Sequence, residues 1–192
     1  MKPTPTRGGP AVKLVAIYVA LILAFTAMGM ALAPSEAQVG AARPASAIPL
    51  HLAELLGFGV LLGAMSAVLY GRRGLPMMLL APFLVALLDL DHLPAYIGLA
   101  QPIRPAHSFV FILVALVCAA IVLRRLDLEL ILVSSFTGHL GVDTGIFAPF
   151  APISFAYVEL DPYKVPLLLL SVISAFLAGY AWRRRNSGEA PR

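Results

Sequence analysis

All four histidines of the chain, His51, His92, His107 and His139, lie within or at the ends of long apolar stretches. So do three of its five aspartates, Asp89, Asp91 and Asp143. Imidazole and carboxylate are the ligands of zinc, manganese, magnesium and related divalent ions. Carboxylates also bridge pairs of such ions, and paired ions recur in phosphoester cleavage. Ionisable groups are expensive inside a bilayer, so they face a bundle interior or a watery cavity. The spacing favours convergence. His139 and Asp143 are four residues apart and Asp89 and His92 three apart, so each pair shares one face of a helix. Asp91 points elsewhere unless the helix ends, and Pro94 disfavours helix at Leu93, which predicts a break just after His92.

Each piece alone has a plain reading. His51 alone is an interfacial residue. Asp-Leu-Asp-His alone is a helix C-terminus with solvated carboxylates, and His107 with Ser108 reads as a helix N-cap. His139 and Asp143 could bond each other and hold a kink. Joined by one depth in a membrane, the seven residues read instead as the ligands of one or two divalent ions. Arg104, in the same region, has the planar fork that pairs with phosphate. Ser108 reads as a cap or an orienting group, because no Gly-x-Ser-x-Gly elbow and no third triad member accompany it. Glu54, one turn beyond His51, reads as a solvated or supporting carboxylate.

The elements that must carry these residues follow from composition. Of the 192 residues 60% are hydrophobic and 12% are charged, with a mean hydropathy of +0.89. A soluble domain is about half apolar and about a quarter charged. The composition excludes a soluble globular protein, a disordered chain and a disulfide scaffold, and Cys118 has no intrachain partner. It predicts an all-α, multi-pass helical bundle. Six stretches approach the ~20 apolar residues of a span: 12–33, 48–70, 75–100, 107–123, 128–150 and 165–182. The third is interrupted near Asp89 and the fifth near His139, both toward the outer face. Sustained strand alternation is lacking, which argues against a barrel.

The basic residues set the direction. Lys2, Arg7 and Lys13 precede the first span, Arg72 and Arg73 follow the second, Arg124 and Arg125 the fourth, and Arg183, Arg184, Arg185 and Arg192 the sixth. Six spans with a cytoplasmic N-terminus place eleven of the fourteen basic residues inside, leaving Arg43, Arg104 and Lys164 outside. The net charge of +4 therefore reflects topology in an inner or plasma membrane rather than a nucleic-acid groove, and no nucleic-acid partner is expected. Both termini fall in the cytoplasm. His51, Asp89, Asp91, His92, His107, His139 and Asp143 all fall near the outer boundary, although the orientation was assigned without them.

The first span reads as a retained anchor. Its apolar run of about 20 residues exceeds the ~7–15 of a signal-peptide core, and Pro34 stands where cleavage would fall. The chain then divides into a tail, anchor and linker (1–49), a five-span domain (50–185) and a cytoplasmic tail (186–192). The linker 34–49 is rich in Ala, Pro and Ser.

The strings "DLDHLP", "RPAHS" and "GHLGVDTG" followed by "FAPIS" resemble the YdjM-like membrane proteins. These are described as inner-membrane-associated, metal-dependent hydrolases and are also labelled LexA-binding. His51-Leu52 fits their early His-Leu element, and the resemblance runs over 50–154. Leu88 stands where the family usually has Pro, and Ile103 where it often has His. The resemblance implies a hydrolase-like metal site in a helical bundle. It names no substrate, and LexA binding would need a cytoplasmic face, whereas this cluster faces outward.

The expectation is thus a metal-dependent hydrolase acting on a phosphoester or lipid-linked phosphate at the outer membrane boundary, with Asp91 and Arg104 in catalysis. Two other classes compete. A transporter or proton- and metal-handling protein would continue its polar path across the bilayer, and the inner halves of the spans carry few polar residues. A non-catalytic protein with a structural metal would close the ligand shell. Orientation is checked by labelling in a Cys118→Ser background: Arg43→Cys should react with an impermeant reagent outside intact cells, and Arg72→Cys only after permeabilisation. The reverse pattern would move the cluster to the cytoplasmic side.

Overall fold

The computed structural model describes residues 9–33, 48–70, 75–97, 99, 104–143 and 146–187. Lys2, Arg7, Arg43, Arg72, Arg73, Arg192, Pro34, Pro102 and Ile103, and nearly all of the 34–49 linker, lie outside the described residues. The elements are α1 (Pro10–Leu32), α2 (Ile48–Tyr70), α3 (Leu75–Leu87), the single turn α4 (Leu93–Tyr96), α5 (Phe109–Leu123), α6 (Leu126–Val142) and α7 (Lys164–Ser187). Turns of 3-10 helix occupy Leu88–His92, Pro105–His107 and Asp161–Tyr163. Strands β1 (Ile146–Phe147) and β2 (Val158–Glu159) form a two-residue antiparallel ladder, Ile146 opposite Glu159 and Phe147 opposite Val158.

The expected all-helical architecture is present. Among the described residues four helical segments are long and apolar enough to cross a bilayer: Pro10–Leu32, Leu50–Val68, Leu79–Tyr96 and Asp161–Arg185. The outward surface is apolar as well. Leu113, Val117 and Ile121, spaced by four on α5, are 62%, 50% and 69% exposed, a pattern that suits lipid rather than water.

Two expectations are corrected in detail. The fourth and fifth segments are shorter than read from hydropathy. At 1.5 Å per residue α5 and α6 measure about 22 and 26 Å, below the ~30 Å hydrocarbon core. Helix α6 also runs unbroken through His139 and ends at Val142, and the described residues from 146 to 160 form the small ladder and turns rather than more helix. Likewise no break follows His92. The chain tightens earlier, at Leu88, and regains an α turn at Leu93–Tyr96, because Pro94 lies in the first turn, where its missing N–H has no helical partner to lose.

α6 is the central element, packed on α7, α3, α5 and α2. Lipid offers no hydrophobic drive between helices, so close backbone approach and interhelical hydrogen bonds must hold them together. Ser134 and Ser171 exchange hydroxyl donors, Ser134 Oγ to Ser171 O at 2.8 Å and Ser171 Oγ to Ser134 O at 2.7 Å, locking α6 to α7. Ser66 Oγ donates to Ala175 O at 2.9 Å, joining α2 to α7. α1 buries Leu14, Tyr18, Ile22 and Phe25 along one face, and Phe25 and Tyr18 meet Phe111 of α5 with ring centres 5.3 and 5.5 Å apart.

One close crossing lies between α2 and α3, where a β-carbon at Gly59 would stand 2.3 Å from the Pro82 α-carbon. Backbone cannot yield there, so Gly59→Ala is expected to destabilise by about 1–3 kcal/mol, read as a lower thermal midpoint in detergent. Gly57→Ala, with open space around it, serves as the control and should match or slightly exceed wild type.

Candidate metal centre

Four elements meet at one level and supply the cluster. The 3-10 turn Leu88–His92 carries Asp89, Asp91 and His92. Three residues per turn eclipse positions i and i+3, so Asp89 and His92 stand together, with His92 Nε2 3.5 Å from Asp89 Oδ1. The turn Pro105–His107 presents His107, and Ser108 caps α5 by accepting the Phe111 N–H at 3.0 Å. The last turn of α6 presents His139, and Asp143 is its C-terminal cap residue. His51 enters from the first turn of α2.

The structure brings all seven sequence-predicted side chains into one connected cluster. Asp89 Oδ1 lies 3.5 Å from His139 Nε2 and 4.0 Å from His107 Nε2, and Asp89 Oδ2 lies 3.4 Å from His51 Nε2. Asp143 Oδ2 is 3.9 Å from His107 Nε2. Two sets place one donor atom per residue within 4.8 Å of one another and could hold a metal ion: Asp89, His92 and His107, and His107, His139 and Asp143. A tetrahedral zinc shell separates its nitrogen and oxygen donors by roughly 3.3 Å, which falls within the range of these distances.

Proton bookkeeping sharpens the picture. His139 Nδ1 lies 2.8 Å from the Val85 carbonyl oxygen, which can only accept, so Nδ1 carries the proton and Nε2 presents a lone pair. His107 Nδ1 lies 2.8 Å from Asp91 Oδ2, and donation to that carboxylate leaves His107 Nε2 with its lone pair too. These two Nε2 atoms are 2.9 Å apart. Neutral imidazoles in that arrangement repel, and a shared cation removes the repulsion. Asp89 Oδ1 is buried with no hydrogen-bond partner among the described residues and aims at the same nitrogens. A proton would satisfy the two nitrogens alone; a metal ion satisfies the nitrogens and the carboxylate together. The donor set therefore fits a divalent ion.

Asp91 and Arg104 are both engaged by neighbouring groups. Asp91, expected as ligand and catalyst, is fully buried and holds His107 by its Nδ1, the arrangement that orients a ligating histidine. It lies outside both close donor sets, as does His51, whose partner is Asp89. The Arg104 fork is engaged within the chain. Its Nη1 donates to Asp143 Oδ2 at 2.7 Å and its Nη2 to Ile146 O at 2.8 Å, fixing Asp143 and β1. Ser108 also donates to Ala151 O at 2.8 Å, which ties the "RPAHS" turn to the "FAPIS" loop. Glu54 remains exposed, 3.9 Å from His51 Nδ1.

The sequence reading missed Tyr18 and the Val85 carbonyl. α1 packs across both site turns, and Tyr18 is fully buried, its hydroxyl lacking a hydrogen-bond partner among the described residues. A tyrosine well inside an apolar span departs from the interfacial belt where tyrosine usually sits, and that was the available signal. Val85 O is available because α3 stops at Leu87, leaving its last carbonyls without α-helical partners.

Neither a known protein family, nor a curated protein, nor a solved structure matches the chain. The purified protein is expected to retain about one divalent ion per chain through gel filtration, measured by elemental analysis, and to lose it in His139→Ala and Asp89→Asn. Asp91→Asn keeps the donor set but should weaken affinity about 10–100-fold. Because the imidazoles must be neutral to ligate, and binding competes with protons, metal retention should fall as pH is lowered. Equal metal content in wild type and His139→Ala would remove the centre.

Proposed function

We propose that the chain is a multi-pass membrane hydrolase that cleaves a phosphoester, in a lipid-linked phosphate, at the outer boundary of an inner or plasma membrane. In this reading α5 and α6, with the turns at their ends, complete six passes, and both termini are cytoplasmic. The observation that carries it is the pair of Nε2 atoms 2.9 Å apart beside the buried Asp89 Oδ1, which has no hydrogen-bond partner among the described residues. Asp89, His92 and His107, or His107, His139 and Asp143, would hold a divalent ion, zinc or one of the manganese and magnesium class, which would supply Lewis acidity toward a water and a phosphoryl oxygen. The resemblance to YdjM-like proteins agrees, since its separate motifs contact one another: Asp91 with His107, His107 with His139, and Ser108 with Ala151.

The chain's own residues divide the remaining work. Asp91 and Val85 O fix the two imidazole rings, and Arg104 fixes Asp143. The cluster is closed on one side, where His107, His139, Asp91 and Asp143 are at most 1% exposed, and open on the other, where Asp89 is 15% and His92 18% exposed. An open side is what a catalytic rather than a structural site keeps. Leu93, Tyr96, Ile97 and Leu99 are exposed beside His92, and Tyr96 stacks on its ring. That apolar lip suits a substrate with acyl or prenyl chains and a phosphate head. A conducting path receives no support, because the Ser66, Ser134 and Ser171 hydroxyls deeper in the bundle all donate to backbone carbonyls.

The test is release of phosphate from phosphatidic acid in mixed micelles, compared with a short-chain phosphate monoester in water. Metal-loaded wild type should act on the lipid substrate, and His139→Ala or chelation should reduce turnover to background. Asp91→Asn should lose about 10–100-fold. Bound metal without hydrolysis of either substrate would leave a structural centre and overturn the enzymatic reading.

A further inference from the structure

α1 precedes the stretch 50–154 that holds the cluster residues, yet it packs across both 3-10 turns of the site, Leu88–His92 and Pro105–His107. Its buried face carries Leu14, Tyr18, Ile22, Phe25 and Thr26. Two of these bear a hydroxyl, and the two are used differently. Thr26 Oγ1 donates back to its own helix, to Ile22 O at 2.8 Å. The Ser66, Ser134 and Ser171 hydroxyls donate to backbone carbonyls as well. Tyr18 is fully buried, its ring centre 5.5 Å from that of Phe111 in the first turn of α5. Its hydroxyl has no hydrogen-bond partner among the described residues. A tyrosine cannot imitate Thr26, because its ring carries the hydroxyl past the carbonyls of its own helix. The partner must come from another element.

The surroundings of Tyr18 narrow the choice. Asp91 and, after it, Asp89 are the charged groups that act most on the Tyr18 hydroxyl. Both stand on the 3-10 turn against which α1 packs. A buried hydroxyl costs free energy unless it donates, and a carboxylate accepts about twice as strongly as a neutral oxygen. Asp91 accepts from His107 Nδ1 through Oδ2 at 2.8 Å. A second donor on the same carboxylate fixes its plane, and with it the His107 ring whose Nε2 faces His139.

We propose that Tyr18 is a positioning residue of the metal centre: its hydroxyl donates to the Asp91 carboxylate, directly or across one buried water, and so holds His107 in its ligating orientation. A water bridge is nearly as favourable as a direct bond. The inference rests on the metal-centre reading above. It makes α1 a working part of the site rather than a membrane anchor alone.

The experiment uses the full chain in detergent and Tyr18→Phe, which removes the hydroxyl and keeps the ring. Zinc affinity, measured by competition with a chromophoric chelator, should fall about tenfold. The Tyr18→Phe, Asp91→Asn double variant should bind zinc no more weakly than Asp91→Asn, because Tyr18 acts through Asp91. Leu14→Ala loosens the same face of α1 without removing a polar group. It should lower the thermal midpoint yet leave zinc affinity within about twofold of wild type. With chelator present, Tyr18→Phe should lower the midpoint by about 2–4 °C, since loss of a bonded hydroxyl leaves its acceptor short. An equal or higher midpoint would mean an unbonded hydroxyl and overturn the proposal. Wild-type zinc affinity in Tyr18→Phe, or an equal loss in Leu14→Ala, would overturn it and leave the metal centre standing. A wild type that binds no zinc would remove the metal centre. The Tyr18–Asp91 bond would then stand on non-additive metal-free midpoints of the two single variants and the double, and fall on additive ones.

Discussion

Two imidazole nitrogens stand 2.9 Å apart inside an otherwise apolar bundle, in a cluster that could hold a metal ion. Much of the local architecture serves that arrangement. Asp91 and the Val85 carbonyl hold the rings so that neither can turn its N–H inward. Arg104 restrains Asp143 at the rim, and Asp89 closes on the nitrogens from a third side. Removing any one of these supports would free a ring to rotate and trade the shared site for an ordinary hydrogen bond. The buried carboxylates and imidazoles are tolerated because they meet one another rather than lipid.

The backbone devices that build this point are local and inexpensive. Tightening from α to 3-10 geometry at Leu88 eclipses Asp89 over His92 and swings Asp91 toward His107. A continued α-helix would have turned Asp91 away. The same tightening follows the end of α3, which releases the Val85 carbonyl for His139. Pro105 and the Ser108 cap fix the entry of α5, and the Ser108 hydroxyl reaches across to Ala151. α1 then covers both turns with a face of Leu14, Tyr18, Ile22 and Phe25.

α6 organises the molecule along its length. Its first turn carries Asp127 among arginines, and its last carries His139 among carboxylates and histidines. Between these poles lie small and hydroxyl-bearing residues, whose donors go to neighbouring carbonyls rather than to a water path. That distribution fits the burial of most of α6, from Asp127 to Gly141. In lipid such packing must come from close approach and hydrogen bonds, because burial of apolar surface contributes little.

The helical, membrane-type character, the positions of α1, α2 and α7, and the seven cluster residues were legible in the chain itself. Apolar runs report solvent preference directly, and a charge inside such a run requires a partner wherever it lies. Hydropathy ran on past Val142 because residues 146–153 are apolar too, though they form strands and turns. The roles within the cluster were decided by tertiary structure. Whether Asp91 ligates or orients, and whether Arg104 reaches for a phosphate or restrains Asp143, depends on which atoms stand within 3 Å. Those distances are set by helices far apart in sequence. Tyr18 was hidden for the same reason. Its meaning comes from neighbours on other helices, and a linear pattern records which residues are present but not which ones face each other.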